Sequence, residues 1–273
     1  LHKIFIMRTN KAYLEQIGGE WLDDFVYMSQ EPLKRLDFEI IPFDGDDMEK
    51  TLLCYPLDIE QDVIIGSVQA SITFFKGCDI DTPKYLGYPE ELKLYLCREV
   101  RETTFGDLLK LSPKLPYFIK PKNDVKSFTA EVITKQNQLT YLKEFRGVKD
   151  DIEIFISASL PPIVSEYRCF VHEEQLVGIH YYSGDFRVYP DAKVIEEMVS
   201  VYKSANCAYT LDVAVLEHGQ TVLIEVNDMW AIGSYGMHAR KYALMCVRRM
   251  REIGRQFNGE TKNLWKQLRD RYE

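Results

Sequence analysis

The sequence lacks the patterns that mark several common classes of protein. No apolar run approaches the roughly 20 residues that a membrane helix needs. The start of the sequence, residues 1–6, is too short and too quickly followed by polar residues to be a signal peptide. The six cysteines are scattered without a Cys-x-x-Cys pair, which is typical of reduced cytoplasmic thiols. No Gly-x-Gly-x-x-Gly fingerprint, spaced histidine cluster or Ser/His/Asp set is present. We therefore expect a cytoplasmic protein whose chemistry does not depend on a side-chain nucleophile.

The charge of the chain restricts its partners. A net charge of −8 argues against bulk attraction to nucleic acid or to an anionic membrane. Residues 239–273 are nevertheless basic, with ten lysines and arginines against four acidic residues. The simpler interpretation is a solvated helix face, and the alternative is a docking surface for an acidic partner or for RNA. We expect any protein partner to use this basic segment or the acidic N-terminal half.

The spacing of apolar residues divides the chain into two regions. Residues 1–112 alternate between strand and helix patterns, which predicts a small α/β domain with a Rossmann-like arrangement. Its predicted elements are strand Lys3–Met7, helix Glu15–Met28, strands Asp37–Phe43 and Asp62–Gly66, and helix Val68–Lys76. Residues 113–273 predict an α+β domain with a first lobe over about 113–160 and a second lobe over 161–273. Its predicted strands are Tyr117–Lys120, Thr129–Ile133, Asp151–Ser159, Ser165–His172 and Gln175–Tyr182, and its predicted helices are Asp191–Ser204 and Met237–Phe257.

Between those two helices lies a predicted hairpin that carries unexpected polar residues. The segments Tyr209–Leu216 and Thr221–Val226 are apolar and β-branched, and a short turn with a glycine joins them. Asp212 lies in the first strand, while Glu225 and Asn227 alternate around one residue and so share a face of the second. Two carboxylates and an amide oxygen at one place form a site for a hard cation such as Mg²⁺. A structural ion network is the alternative.

Three basic residues precede this hairpin in the sequence. Lys120 ends an apolar strand before Pro121, and Lys126 follows in a polar loop. A lysine at the end of a buried strand is costly unless its ammonium meets an anion. Arg168 lies in the strand Ser165–His172, where its planar guanidinium suits a phosphate, although Glu166 on the same face offers a purely structural partner.

Taken in order, these segments resemble the ATP-grasp superfamily over about residues 113–245. More narrowly, they resemble a divergent bacterial and phage clade related to the eukaryotic cell-division-cycle protein 123 family. The segments that carry the resemblance are Phe118–Pro121, Val125–Thr129, Ser165–Arg168 and Glu225–Gly236. The resemblance implies an ATP-grasp fold, with the nucleotide between two lobes, preceded by a Rossmann-like pre-ATP-grasp domain over 1–112.

The resemblance also implies a role for each candidate residue. Lys120 and Lys126 would contact the α- and β-phosphates of ATP, and Arg168 the γ-phosphate and the acyl phosphate formed from it. Asp212, Glu225 and Asn227 would hold one or two Mg²⁺ ions. The adenine would lie against the backbone of the strand at Phe155, Ile156 and Ser157. The substrate candidates are Tyr181, Tyr182, Arg187, Trp230 and Tyr235. One departure is that residues 123–130 contain no glycine, whereas many family members cover the phosphates with a glycine-rich loop.

The implied function is an ATP-dependent ligase that forms a C–N bond. A substrate carboxylate would be activated as an acyl phosphate and then attacked by an amine, on small molecules or on a peptide or protein. Two alternatives remain open at this point. An assembly factor could use the same ATP site without ligation, and the basic C-terminal segment alone suggests RNA or nucleotide modification. The sequence does not identify the acid or the amine.

Overall fold

The computed structural model describes residues 9–54, 57–111, 113–122 and 128–272, with only the backbone of 52–54 and 257–272. The strand predicted over Lys3–Met7 and the predicted phosphate ligand Lys126 lie outside the described residues. The described part of the chain contains three four-stranded sheets. We call them the first, second and third sheets in chain order.

The first sheet is built around a central strand with a parallel neighbour on each side. Its strands are β1 (Asn10–Ile17), β2 (Glu20–Trp21), β3 (Phe38–Asp44) and β4 (Val63–Ile65), and the helices between and after them are α1 (Asp24–Arg35), α2 (Met48–Cys54) and α3 (Val68–Gly77). β1 pairs in parallel with β3 and β4, and β2 forms a short antiparallel extension. The predicted strands Asp37–Phe43 and Asp62–Gly66 and the helix Val68–Lys76 agree with β3, β4 and α3.

The helix predicted over Glu15–Met28 is wrong. This stretch contains the end of β1, a turn, β2 and the start of α1. Gly18 and Gly19 have φ of 60° and 86°, a left-handed conformation that glycine adopts without steric cost and that ends the strand. The helix begins only after Asp23, with Asp24 in its first turn and Lys34 and Arg35 in its last, charges that favour the helix dipole.

The second sheet is antiparallel and follows from residue 100. It contains β5 (Val100–Thr104), β6 (Tyr117–Pro121), β7 (Glu131–Ile133) and β8 (Glu153–Ala158) in the order β5-β8-β6-β7, with helices α4 (Phe105–Leu111) and α5 (Asn137–Glu144). β5 therefore belongs to this sheet, although it precedes the domain boundary predicted between residues 112 and 113. The division of the chain into domains stays a prediction.

The third sheet contains the predicted hairpin. Its strands are β9 (Ile163–His172), β10 (Gln175–Gly184), β11 (Ala208–Leu216) and β12 (Thr221–Asp228), in the antiparallel order β10-β9-β11-β12, with α6 (Ala192–Val201) packed on one face. The helix predicted over Met237–Phe257 is present as α7 (Ala239–Tyr272), which continues further than predicted. α7 packs against β4 and α1, so the C-terminal helix lies on the core of the first sheet.

The two faces of β9 contact different cores. Tyr167, Cys169 and Val171 pack with α6, whereas Phe170 packs with the core of the first sheet. Arg168 alternates with Tyr167 and Cys169, so it shares the face of Phe170. The third sheet therefore turns its polar face towards the rest of the protein rather than towards solvent.

Two further observations concern the protein as a whole. Within the part of the chain that the structure describes, no helix combines the length and apolar character needed to cross a membrane. The five cysteines whose side chains are described are free thiols, and Cys169 and Cys246 are buried, where they act as small apolar residues.

Candidate functional site

The strand register brings the predicted polar residues together. Asp212 of β11 lies opposite Arg168 of β9 on one side and opposite Glu225 of β12 on the other. A register shift follows immediately, because Val213 pairs with Leu223 and leaves Ile224 as an extra residue in β12. Such a bulge twists a strand and redirects its side chains. The hairpin prediction is confirmed in both its pairing and its shared polar face.

Asp212 and Arg168 form a buried ion pair. Arg168 Nε and Nη2 donate to Asp212 Oδ1 and Oδ2 at 2.8 and 2.7 Å, and both side chains are over nine-tenths buried. Asn227 Nδ2 also donates to Asp212 Oδ2, at 3.1 Å. Burial raises the pKa of Asp212, while the guanidinium of Arg168 opposes this shift. Arg168 therefore pairs with Asp212 and not with Glu166, the partner that the sequence left open.

Glu225 is the centre of a second group of contacts. Lys120 Nζ donates to Glu225 Oε2, and the hydroxyl of Tyr85 donates to the same oxygen at 2.6 Å. Asn227 Nδ2 donates to Glu225 Oε1 at 3.2 Å. Burial alone would raise the pKa of Glu225, but the nearby charge and hydrogen bond of Lys120, with Tyr85 and Asn227, hold it below its usual value. Glu225 is therefore a carboxylate surrounded by hydrogen-bond donors rather than an orphaned acid.

Lys120 and Glu225 form part of the wall of a cleft between the second and third sheets. The cleft has a volume of about 790 Å³, within the range of small-molecule sites. The apolar lining of the cleft includes Phe118, Val132, Leu160, Pro162, Ile163 and Ile224. Its charged lining consists of Arg98, Lys120, Glu166 and Glu225. The cleft can therefore accept a ligand with both a flat apolar part and an anionic part.

The position of β8 disagrees with the predicted backbone contacts of Phe155, Ile156 and Ser157. β8 pairs with β5 on one side and β6 on the other, so its peptide groups are used within the sheet. Phe155 instead packs its ring against Tyr88, with centroids 4.8 Å apart, and Ile156 packs into the opposite core. Residues 159–162, beyond this pairing, line the cleft. This segment follows β8 directly and connects the two sheets.

An aromatic group covers the outer side of Arg168. The guanidinium carbon lies 4.4 Å from the ring centroid of Tyr235 and 5.7 Å from that of Tyr182, and the two rings contact each other edge to face. Such contacts hold the planar guanidinium in place while leaving its charge available. The structure thus brings Tyr182 and Tyr235 to the site. Tyr235 has φ of 45°, so the loop before α7 makes a tight turn there.

The three other substrate candidates have different surroundings. Tyr181 contacts Tyr167 on the α6 side of the sheet, and its hydroxyl donates to the carbonyl of Gly184. Arg187 pairs with Asp185 on an exposed turn, through Nε at 2.9 Å and Nη2 at 2.7 Å. Trp230 packs its ring against Phe75 of α3, at 5.4 Å. These contacts explain the three side chains without a substrate, and none of them belongs to the cluster around Asp212.

The structure adds Tyr85 beside Glu225, and Arg98 and Glu166 in the cleft, none of which the sequence indicated as a ligand-binding residue. Tyr85 belongs to a segment without a helix or strand, held against β12 by backbone hydrogen bonds between Gly87 and Val226 at 3.1 and 2.8 Å. Arg98 contacts the carbonyl of Ile224 at 3.4 Å and is held in the cleft. The side chain of Glu166 forms no hydrogen bond or ion pair with any other residue that the structure describes, and it lines the cleft. Burial and the charges of Asp212 and Glu225 raise its pKa.

The donor set fits a hard divalent cation. Among the described residues, no three histidine, cysteine or acidic side chains form a group suited to a metal. The candidate set consists of the carboxylates of Asp212 and Glu225 and the amide of Asn227. Asn227 Nδ2 lies within 3.2 Å of an oxygen of each carboxylate. Since an amide can rotate about its last bond, its oxygen can occupy the same position, and three oxygen atoms would then surround one point. In the structure, the positive charges of Lys120 and Arg168 balance the negative charges of these two carboxylates.

Solved structures of low sequence identity share the fold. A RimK domain ATP-grasp protein from Sphaerobacter thermophilus is 12% identical, with a TM-score of 0.58 over 87% of this chain and 98% of that one. The D-alanine–D-alanine ligase of Bacillus anthracis is 14% identical, with a TM-score of 0.52 over 90% and 98%. An L-amino acid ligase from Bacillus licheniformis is 11% identical, with a TM-score of 0.54 over 89% and 76%.

Comparisons of sequence identify the family. None of the curated proteins is significantly similar to the chain. Residues 95–245, more than half of the chain, match the family model described as ATP-grasp domain, R₂K clade family 2. The match includes β5 to β12, and therefore the cleft, Lys120, Arg168 and the Asp212–Glu225–Asn227 cluster. The resemblance to ATP-grasp proteins is confirmed, whereas the relation to the cell-division-cycle protein 123 family stays a prediction. The chain belongs to family 2 of the R₂K clade of ATP-grasp domains.

Proposed function

We propose that this protein is an ATP- and Mg²⁺-dependent ligase that joins a carboxylate to an amine. The observation that carries the proposal is the cleft between the second and third sheets, with apolar lining near Leu160 and Ile224 and with Lys120 and Glu225 among its charged residues. Arg168, paired with Asp212 on the neighbouring strand, extends the charged region. An adenine and a triphosphate require this combination of an apolar slot and a cationic wall.

In this proposal the nucleotide lies along the cleft from residue 160 towards Arg168. The base contacts Leu160 and Ile224 and the backbone of residues 159–162, which replaces the contacts expected at Phe155–Ser157. The phosphates extend to Lys120 and to Arg168, two cations that are paired with carboxylates of the protein in the free cleft. Lys126 remains a predicted phosphate ligand. Binding therefore exchanges protein ion pairs for contacts with phosphate oxygens.

Asp212, Glu225 and Asn227 are the residues that would hold Mg²⁺. The bound cation would neutralise charge on the β- and γ-phosphates. As Lys120 and Arg168 move to the phosphates, the two carboxylates lose their ion-pair partners and need a new cation. This exchange links the two ligands, so nucleotide and metal should each bind more tightly when the other is present.

The chemistry follows from this arrangement. A carboxylate oxygen attacks the γ-phosphorus, the bond from that phosphorus to the bridging oxygen breaks, and ADP leaves with the bond electrons. An amine then attacks the acyl carbon, phosphate leaves, and the amine loses a proton. Arg168 would carry positive charge beside the transferred phosphoryl group, held in place by Tyr235. Relatives named as D-alanine and L-amino acid ligases support amino acids or peptides as the substrate class.

Trapping of the activated acid tests the proposal without knowledge of the amine. With ATP, Mg²⁺ and a pool of amino acids and short peptides, hydroxylamine should replace the amine and yield a hydroxamate together with ADP. Substituting Arg168 with alanine should remove both products, because the phosphoryl group loses its nearest cation. Mass spectrometry of the hydroxamate would also identify the acid. Stoichiometric ATP binding with no ADP formed from any acid would contradict ligation and favour an assembly factor.

Glu166 provides a prediction about nucleotide selectivity. It lies between the connecting segment and Arg168 along β9 and faces the cleft without a protein partner among the described residues, so we propose that it accepts hydrogen bonds from the ribose hydroxyls. Changing Glu166→Gln should weaken ATP binding about tenfold, the effect of one hydrogen bond to a charged group. The control is 2′,3′-dideoxy-ATP, measured by calorimetry. Wild-type protein should discriminate against this analogue more strongly than the variant, since glutamine accepts hydrogen bonds without the charge; equal discrimination by both would contradict the assignment.

A further inference from the structure

One residue of the charged cluster comes from outside the strands that form it. Tyr85 precedes β5, yet its hydroxyl lies 2.6 Å from Glu225 Oε2 and 2.5 Å from Lys120 Nζ. Lys120 also lies 4.8 Å from the ring centroid of Tyr85. The hydroxyl donates to the carboxylate and accepts from the ammonium, so both of its hydrogen-bonding functions are used. The hydroxyl of Tyr85 therefore bridges Lys120 and Glu225, in addition to their direct contact.

The backbone fixes Tyr85 in this position. Gly87 exchanges hydrogen bonds with Val226, the residue between Glu225 and Asn227, and so attaches the segment to the edge of β12. Gly87 has φ of 52°, and a Cβ atom at this position would lie 2.5 Å from the Tyr85 ring. Phe155 packs against the same ring, with centroids 6.3 Å apart. The hydroxyl is therefore held at Glu225 by its neighbours and not only by its own hydrogen bonds.

The contacts of Glu225 change when a nucleotide binds in the manner proposed above. Lys120 leaves for the phosphates, and Glu225 Oε2 keeps only the Tyr85 hydroxyl among the donors described. We infer that Tyr85 is a positioning residue for metal binding: its hydroxyl holds Glu225 Oε2, so that Oε1, beside Asn227, is presented to the divalent cation. Partners that orient a metal ligand in this way typically change metal affinity 10–100-fold when removed. This inference rests on the proposed ATP and metal site.

The test measures metal binding directly. Mn²⁺ replaces Mg²⁺ as a paramagnetic probe, and free Mn²⁺ is titrated by electron paramagnetic resonance in the presence of a non-hydrolysable ATP analogue. Changing Tyr85→Phe should weaken Mn²⁺ binding at least about tenfold. Affinity for the analogue in EDTA should change less than about twofold, because the phenylalanine retains the ring and Lys120 remains free to bind phosphate. A general structural role would weaken both measurements together.

Two further variants complete the experiment. Tyr27→Phe removes the hydroxyl of an exposed tyrosine of α1 that does not line the cleft, and it should leave Mn²⁺ affinity unchanged. Gly87→Ala keeps the hydroxyl but displaces the ring, and it should weaken Mn²⁺ binding as Tyr85→Phe does. If the wild-type protein binds Mn²⁺ tightly and Tyr85→Phe binds it equally well, this inference is overturned and the proposed function stands. Failure of the wild-type protein to bind either the analogue or Mn²⁺ would instead overturn the proposed function.

Discussion

Replacing Glu225 with glutamine is expected to lower Mg²⁺-dependent ATP turnover by about a thousandfold, more than the 10–100-fold typical of a partner that only orients a metal ligand. Glutamine has the same shape and still accepts hydrogen bonds from Lys120 and Tyr85, so the local packing should persist. It lacks the negative charge that a divalent cation requires. The measurement is ADP release in the presence of the acid found by hydroxamate trapping.

The metal-free state of the same variant provides a second measurement. Glu225 holds Lys120 in the free cleft, and this ion pair must separate before the lysine can contact a phosphate. Nucleotide affinity in EDTA should therefore not fall in Glu225→Gln, although turnover is lost. Glu217→Gln, an exposed change in the turn of the same hairpin, is the matched control and should retain turnover. Turnover at the wild-type rate in Glu225→Gln would show that the metal assignment is wrong.

The part of the site on regular strands could be predicted from the sequence. Glu225 and Asn227 share a face because strands alternate with a period of two, and the short turn pairs their strand with the one that carries Asp212. The bulge at Ile224 lies between the turn and this pair and shifts the register by one residue, so that Asp212 lies opposite Glu225 and not opposite Ile224. The pairing of Arg168 with Asp212 was harder to predict from the sequence. It depends on the register between β9 and β11, which are separated by β10 and α6.

The parts that escaped prediction lie in irregular segments or depend on distant packing. Tyr85 reaches Glu225 through a segment without periodicity, so no local pattern indicates its position. Trp230 follows the proposed metal ligands in sequence, but its ring packs against Phe75 of α3. The basic C-terminal segment was interpreted as a solvated face or a docking surface, yet Arg249 within it is buried. Composition identifies the charge of such a residue and not its partner.

Replacing Arg249 with alanine is expected to cost about 3–5 kcal/mol of the free energy of unfolding. Arg249 Nε and Nη2 donate to the two carboxylate oxygens of Asp228, both at 2.7 Å, and Nη1 donates to Glu252 at 2.8 Å. The side chains of Arg249 and Asp228 are 4% and 6% exposed. The variant leaves Asp228 as a buried carboxylate without its cation, and the measurement is unfolding in denaturant.

Two comparisons separate this ion pair from general disturbance of α7. Arg248→Ala removes the adjacent arginine, whose partner Glu173 is about half exposed, and should change stability little because solvent screens that pair. Adding Asp228→Ala to Arg249→Ala should recover part of the loss, since the uncompensated carboxylate is then removed. A double variant that loses the sum of both single effects would contradict the buried-charge explanation. Asp228 directly follows Asn227, a proposed metal ligand, so this ion pair attaches the end of β12 to the helix that packs on the first sheet. Its loss should therefore weaken Mn²⁺ binding as well as the fold, although Arg249 contacts none of Asp212, Glu225 or Asn227 in the hydrogen bonds described.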